Sequence, residues 1–294
     1  MATSKSTPAD APSADALPLR AARPILDEAT KERMLAAVDA AEAGLAALDR
    51  EHGIDDTPAR DFTKRTELKV SIVIPVYNER QTIREIISRV RAANCHHQIV
   101  IVDDASTDGT RDLLLDLERE SDVRVVMHGY NKGKGAALRT AFEHVTGDVV
   151  LIQDADLEYN PADYEKLLAP IERNEADVVY GSRFLENARQ DPSWIHRFGN
   201  AALTWLSNAT TGLRLTDMET CYKVFRRGAL RGMELRENRF GIEPEFTAKL
   251  ARRNCRFREV PISYSGRGYD EGKKIHLGDG VRALYCILRY AWMD

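Results

Sequence analysis

Between Val70 and Tyr180 the chain repeats one pattern that leaves few architectures open. Short, predominantly apolar runs at Val70-Ser71-Ile72-Val73-Ile74, 98–102, 123–127, 149–152 and 177–180 read as strands. Between them lie stretches with apolar residues every three or four positions, predicting helices over 109–119, 134–145 and 161–172. After the first strand, Ile83, Ile86, Ile87 and Val90 share a helical face behind an expected cap at Asn78, with Gln81 completing a capping box. Asn160-Pro161 opens the last helix with proline in its first turn. Strands apolar on both faces must be covered on both faces. The expected class is therefore α/β, a mainly parallel sheet with helices on either side.

In such sheets ligands sit at the carboxyl ends of the strands, which gathers the loops Pro75–Arg80, Asp103–Thr110 and Asp154–Asn160 into one crevice. Its residues include Glu79, Asp103, Asp104, Asp108, Asp154, Asp156 and Glu158. Unpaired, so much acid would be destabilising, so the cluster either binds a cation or shifts some of its own ionisations. Two direct phosphate cradles are excluded. No Gly-x-Gly-x-x-Gly follows the first strand, and Gly129–Gly133-Lys134 is one residue short of a P-loop and continues with Gly135 in place of Ser or Thr. An acidic lining meets a diphosphate through a divalent cation, and Asp154-Ala155-Asp156, just after an apolar strand, has the form of a clamp for one.

Charge is unevenly spread. Residues 67–222 carry 17 Lys and Arg against 25 Asp and Glu, and residues 223–294 carry 16 against 9, so a cation-binding part precedes a phosphate-attracting one. No nucleic-acid-binding pattern accompanies the basic residues. Cys95, Cys221, Cys255 and Cys286 lack zinc-site spacing and read as reduced thiols. Neither a membrane-spanning run nor a signal-peptide core is present, so the expected location is cytoplasmic.

The runs SIVIPVYNE (Ser71–Glu79), VDDASTDGT (Val102–Thr110), NKGKGAALR (Asn131–Arg139), DADLEY (Asp154–Tyr159) and GSRF (Gly181–Phe184) together resemble the inverting family 2 glycosyltransferases. Within these the chain is most similar to the dolichol-phosphate-mannose-synthase-like branch, over residues 69–275. The resemblance implies a GT-A type domain, a nucleotide-diphosphosugar donor such as a UDP- or GDP-sugar, and Mg²⁺ or Mn²⁺. It also implies that Pro75, Tyr77 and Glu79 line the base and ribose pocket, that Asp104 contacts the base, and that Asp154 faces the ribose or sugar. Lys134 joins the donor site. Asp156 would ligate the cation with Glu158 supporting it, although many relatives carry Gln at that place. Arg183 and Arg197 match phosphate-holding positions, and Asp217 or Glu219 is the candidate acceptor-side base. Arg267, Lys273 and Lys274 resemble a basic loop that closes over the diphosphate.

The implied activity is inverting sugar transfer to a polyprenyl phosphate during cell-envelope assembly. A phosphate acceptor needs only basic groups to position it, whereas a hydroxyl acceptor needs a base. Transfer to a hydroxyl in polysaccharide or glycolipid assembly stays open, as does a non-catalytic nucleotide-sugar-binding protein. A nucleotidyltransferase would normally show a glycine-rich loop after the first strand. The expected organisation is a disordered tail over 1–24, an amphipathic helix and linker over 25–66, the catalytic domain over 67–278, and an amphipathic helix over 279–294. The N-terminal helix would pack on the body, or bind a partner or a second copy. Along the last helix, Val281, Leu284, Tyr285, Leu288 and Trp292 share a face flanked by Arg282 and Arg289, suited either to the core or to a peripheral position on a cytoplasmic membrane face.

Overall fold

The computed structural model describes residues 68–185, 194–266 and 277–292. The expected tail over 1–24 and helix and linker over 25–66 lie outside the described residues, as do Arg267, Lys273 and Lys274. Seven strands, β1 (Val70–Val76), β2 (His96–Asp103), β3 (Val123–Met127), β4 (Val149–Ile152), β5 (Val178–Ser182), β6 (Lys223–Arg226) and β7 (Phe257–Pro261), form one sheet in the order β3-β2-β1-β4-β6-β5-β7. All neighbours are parallel except β6, which runs antiparallel to both β4 and β5. The mainly parallel α/β class read from the sequence is the one observed.

Every residue of β1 from Val70 to Ile74, and all of β4, is buried. Because alternate side chains point to opposite faces, both faces of these strands are covered. Each aliphatic side chain so buried contributes about 1.5–3 kcal/mol of transfer free energy. Helices α1 (Ile83–Ala92), α2 (Thr110–Leu117), α3 (Lys134–Phe142) and α4 (Tyr164–Glu172) follow the first strands. Three further helices, α5 (Trp194–Thr211), the one-turn α6 (Arg227–Leu230) and α7 (Ile242–Arg252), precede the C-terminal α8 (Leu277–Trp292).

The expected capping box at Asn78 and Gln81 does not form. Asn78 is left-handed (φ 53°), and its side-chain oxygen accepts from the Thr107 amide at 2.8 Å, so the second loop competes successfully for the cap. Helix α1 starts later, behind Thr82, which makes no side-chain cap bond. Asn160 does cap its helix, accepting from the Ala162 amide at 3.1 Å, with Pro161 in the first turn. That segment begins as a 3-10 turn (Pro161–Asp163) before becoming α4.

Candidate functional site

The first two strand-end loops are stitched together. The Asn78 amide donates to Ser106 Oγ (2.9 Å), the Glu79 amide to Thr110 Oγ1 (3.0 Å) and the Arg80 amide to Asp108 Oδ2 (3.1 Å). Glu79 is itself buried and accepts from Thr82 Oγ1 at 2.7 Å. Pro75 and Tyr77, at the partly exposed end of β1, border the same loops. Asp108 accepts from the Thr110 amide and hydroxyl as well as from Arg80, and these bonds hold its carboxyl below the usual range although burial opposes them. Buried Asp103 pairs with Arg111 Nε at 2.7 Å.

Asp104 ties this pair of loops to the start of α3. Its two oxygens accept from the amides of Lys132 (2.8 Å) and Gly133 (2.6 Å), and Oδ1 also lies 2.7 Å from His128 Nδ1. The carboxylate that the resemblance gives to the base thus braces the loop from which Lys134 projects. Lys134 Nζ reaches Asp154 at 3.0 Å and Glu243 at 3.5 Å. Glu243 also pairs with Lys223, a fully buried lysine on β6 whose ammonium stands 4.6 Å over the Tyr180 ring.

Asp154, Lys134, Glu243 and Lys223 therefore form a row of alternating charge from the crevice into the core, each ion compensated by its neighbour. Burial works to raise the Asp154 carboxyl, but Lys134, the Cys221 thiol and Lys223 outweigh it and hold the group below its ordinary value. Burial equally opposes the Lys134 ammonium, and Asp154 with Glu243 more than offsets that. Cys221, pushed far up chiefly by burial, remains a thiol beside Asp154.

Asp156 and Glu158 are placed differently. They flank Leu157, whose left-handed backbone (φ 65°) makes the chain turn sharply there, and both are partly exposed. Asp156 Oδ1 accepts from the Glu158 amide at 3.2 Å, and Glu158 Oε2 accepts from Tyr264 Oη at 3.0 Å. An isolated bridge between Tyr159 and Tyr264 and the bond from the Ser265 amide to the Glu158 carbonyl (2.9 Å) anchor the turn to the segment after β7. Among the described residues no three His, Cys, Asp or Glu side chains gather into a ready-made metal cage. One or two carboxylates at an open turn suit a hard cation whose remaining positions are filled by water and a ligand's phosphate oxygens, so these residues fit Mg²⁺ or Mn²⁺.

On the other wall, Arg183 forms a fork with fully buried Asp217, through Nε (2.7 Å) and Nη2 (2.8 Å), and the Arg183 amide donates to the same carboxylate at 3.1 Å. The guanidinium also lies 5.2 Å from the Tyr264 ring centre. Burial would lower the Arg183 pKa, but Asp217 holds it well above the usual value. Glu219 contrasts with Asp217. Its Oε1 is buried without a hydrogen-bond partner, and burial, with Glu243 and Asp217 adding, pushes the carboxyl up to about 7 against the pull of Lys223 and Arg183. Arg197 is exposed near the start of α5.

The sequence reading did not single out His128, Glu243, Lys223 or Tyr264. Lys223 alone carried a signal, since a lysine opening the apolar run Lys223-Val224-Phe225 needs a buried anion. Glu243, twenty residues later on α7, could not be paired with it before the fold was known.

The glycosyl transferase family 2 model matches residues 71–233, which contain all three crevice loops and both Arg183 and Asp217. The chain belongs to this family. It is 31% identical over 210 residues to the undecaprenyl-phosphate 4-deoxy-4-formamido-L-arabinose transferase of Edwardsiella ictaluri (strain 93-146), covering 69% of this chain and 62% of that one. The protein of the same name from Enterobacter sp. (strain 638) is 32% identical over 212 residues, covering 70% and 62%. The chain thus spans less than two thirds of the length of these relatives.

In fold the family 2 domain resembles crystal structures of Mycobacterium tuberculosis glucosyl-3-phosphoglycerate synthase. One holds Mn²⁺, UDP and glucosyl-3-phosphoglycerate (TM-score 0.59, 18% identity, 81% of this chain and 86% of that one). Another holds Mg²⁺ and UDP (TM-score 0.58, 20% identity, 81% and 85%). The shared architecture is the GT-A fold.

Proposed function

We propose that this family 2 protein moves a sugar from a nucleotide-diphosphosugar to a polyprenyl phosphate, inverting the anomeric centre. The observation that carries the reading is the division of labour within Asp154-Ala155-Asp156. Asp154 is paired with Lys134, whereas Asp156 and Glu158, two residues on, flank the sharp turn at Leu157. Asp156 and Glu158 would hold a divalent cation there, whose chemistry would be charge stabilisation of the departing diphosphate. Pro75, Tyr77 and Glu79 border the place for base and ribose. Asp104 and Lys134 order the loop beneath them.

The acceptor's phosphate oxygen forms a bond to the anomeric carbon, while the bond to the nucleoside diphosphate breaks and its electron pair leaves with the diphosphate. A phosphate oxyanion needs orientation and no proton acceptor. The fork to Asp217 uses two of the five N–H donors of Arg183, so its guanidinium is held rigidly with donors remaining for phosphate. Arg197 and the basic segment bearing Arg267, Lys273 and Lys274 supply further positive charge in this reading. The named relatives, undecaprenyl-phosphate sugar transferases, support a lipid-phosphate acceptor, and such an acceptor would be met at a membrane surface.

A second reading rests on Glu219. A carboxyl poised at about 7 with an unpaired buried oxygen has the properties of a general base for a hydroxyl acceptor. Asp217, locked in its fork, has less freedom for that task.

Thermal denaturation with UDP-, GDP- and CDP-sugars, with and without Mn²⁺, tests the donor side. A matching donor at a hundred times its dissociation constant stabilises by about 2.7 kcal/mol, and only with the cation present. Absence of cation-dependent stabilisation by every nucleotide-sugar would overturn the proposal.

A further inference from the structure

Helices α5 and α8 pack against each other and against α7. On α8, Ala283, Cys286, Ile287 and Tyr290 are buried, Cys286 and Tyr290 packing with Ala248 of α7 and Ile287 with the main core, and on α5 Thr204 and Ser207 are buried. The opposite faces carry large apolar side chains in the open: Phe198 (74% exposed) and Trp205 (70%) on α5, and Val281 (66%), Leu284 (42%), Tyr285 (47%) and Leu288 (47%) on α8. Exposed Ala201 and Ala202 fill the α5 face between its two aromatics. Since both helices pack on α7 and against each other, their open sides adjoin. Scattered exposed apolar residues are ordinary, but six large ones on two adjoining helices make a patch that calls for a partner.

We infer that α5 and α8 together form a docking face for an anionic lipid bilayer, a reading that rests on the lipid-phosphate acceptor proposed above. Two arguments select a bilayer over a protein partner. The first is charge and composition. Arg197 sits beside Phe198, Arg282 is half exposed and lies 5.1 Å from the Tyr285 ring, and Arg289 follows Leu288; Arg282 and Arg289 share the single carboxylate of Glu237, so the arginines fringing these aromatic and aliphatic side chains leave a net positive charge, as in interfacial helices. The surrounding chain from 223 to 294 has the positive excess that an anionic headgroup layer attracts.

The second argument is position. Helix α5 is the support of the acceptor wall: Thr204 Oγ1 accepts from the Met218 amide at 3.1 Å, and Asn208 brackets Leu215 by donating to its carbonyl (2.7 Å) and accepting from its amide (2.9 Å). The open face of α5 is therefore about one helix diameter, roughly 10 Å, from Asp217–Cys221. A lipid lying against that face would have its phosphate within reach of the acceptor wall. On the other helix, Glu237 holds α8 in place through Arg282 (2.8 Å) and Tyr290 (3.2 Å). The docking face is thus rigidly joined to the catalytic body. Among the described residues no helix is long and apolar enough to cross a membrane, so the face would lie on the bilayer surface.

The test is co-sedimentation of the full chain with phosphatidylglycerol-containing vesicles and with pure phosphatidylcholine vesicles, alongside Trp205→Ser, Leu284→Ser and the double variant. Leu115→Ser, at an exposed leucine on α2, is the control. The wild type and the control should bind the anionic vesicles, and the double variant at least about a hundredfold more weakly with an unchanged circular dichroism spectrum. Equal binding by the double variant and the wild type would overturn the inference, as would a wild type that ignores both vesicles. So would a lipid-free dimer that the double variant dissociates, because the occupant would then be a second copy. Cation-dependent stabilisation by nucleotide-sugars, measured without lipid, should be the same in wild type and double variant. If it persists while vesicle binding fails, the docking face falls and the sugar-transfer reading stands.

Discussion

Replacing Glu219 with Gln isolates the energetics of the acceptor wall. The side chain keeps its shape and loses only its charge. Burial, with Glu243 adding, lifts the folded-state carboxyl from an ordinary value of 4.5 to about 7. The folded protein therefore holds a proton that the unfolded chain releases between those two values, and stability falls as pH rises through that window. At about 1.36 kcal/mol per pH unit, a displacement of this size amounts to about 3 kcal/mol once the group is ionised in both states.

The variant has no such titration. Urea denaturation of both proteins at a series of pH values should give equal pH-independent offsets below about pH 4.5, and a gain for Glu219→Gln growing to about 3 kcal/mol by about pH 8. A difference that stays constant with pH, or grows in the opposite sense, would refute the reasoning. The same variant separates the two acceptor readings, since transfer to a lipid phosphate should survive it and transfer to a hydroxyl should not.

Asp217→Asn removes the anion that holds the largely buried Arg183, and breaking one side of such a fork should cost about 3–5 kcal/mol in denaturant midpoint experiments. A cost under about 1 kcal/mol would show that the pair is solvated. At Gly135 a Cβ would collide with the Glu237 carbonyl oxygen and stand 3.0 Å from that of Arg239. Gly135→Ala should therefore destabilise by about 1–3 kcal/mol, by displacing α3 or the 237–239 segment, and should weaken donor binding through the neighbouring Lys134.

The class was legible because β1, β2, β3 and β4 are predominantly apolar runs, and a covered parallel sheet is the ready explanation of such runs; the strand order, with β6 antiparallel between β4 and β5, was not. β3 and β4 have the bounds that periodicity alone suggests. The three loops could be brought together from topology, because side chains at strand ends need no partner information to be placed. What could not be read was anything set by distant pairing. Asn78 looked like a helix cap and is used by Thr107. Asp217 and Glu219 looked alike, two residues apart, yet the fork to Arg183 separates them. The row from Asp154 through Lys134 and Glu243 to Lys223 joins the loop after β4 with two helices and a strand. The terminal stripe on α8 was visible as a stripe, but its relation to Phe198 and Trp205 exists only once α5 and α8 pack together.

The central claim is tested most directly by the anomeric configuration of the product. Purified protein is incubated with undecaprenyl phosphate, Mn²⁺ and the nucleotide-sugar that stabilises it best, and the lipid product is analysed by mass spectrometry and NMR. The account predicts a sugar phosphodiester whose anomeric configuration is opposite to the donor's, formed at least about a hundredfold more slowly by Asp156→Asn. A product of retained configuration, no product from any stabilising donor, or undiminished turnover by Asp156→Asn would contradict it.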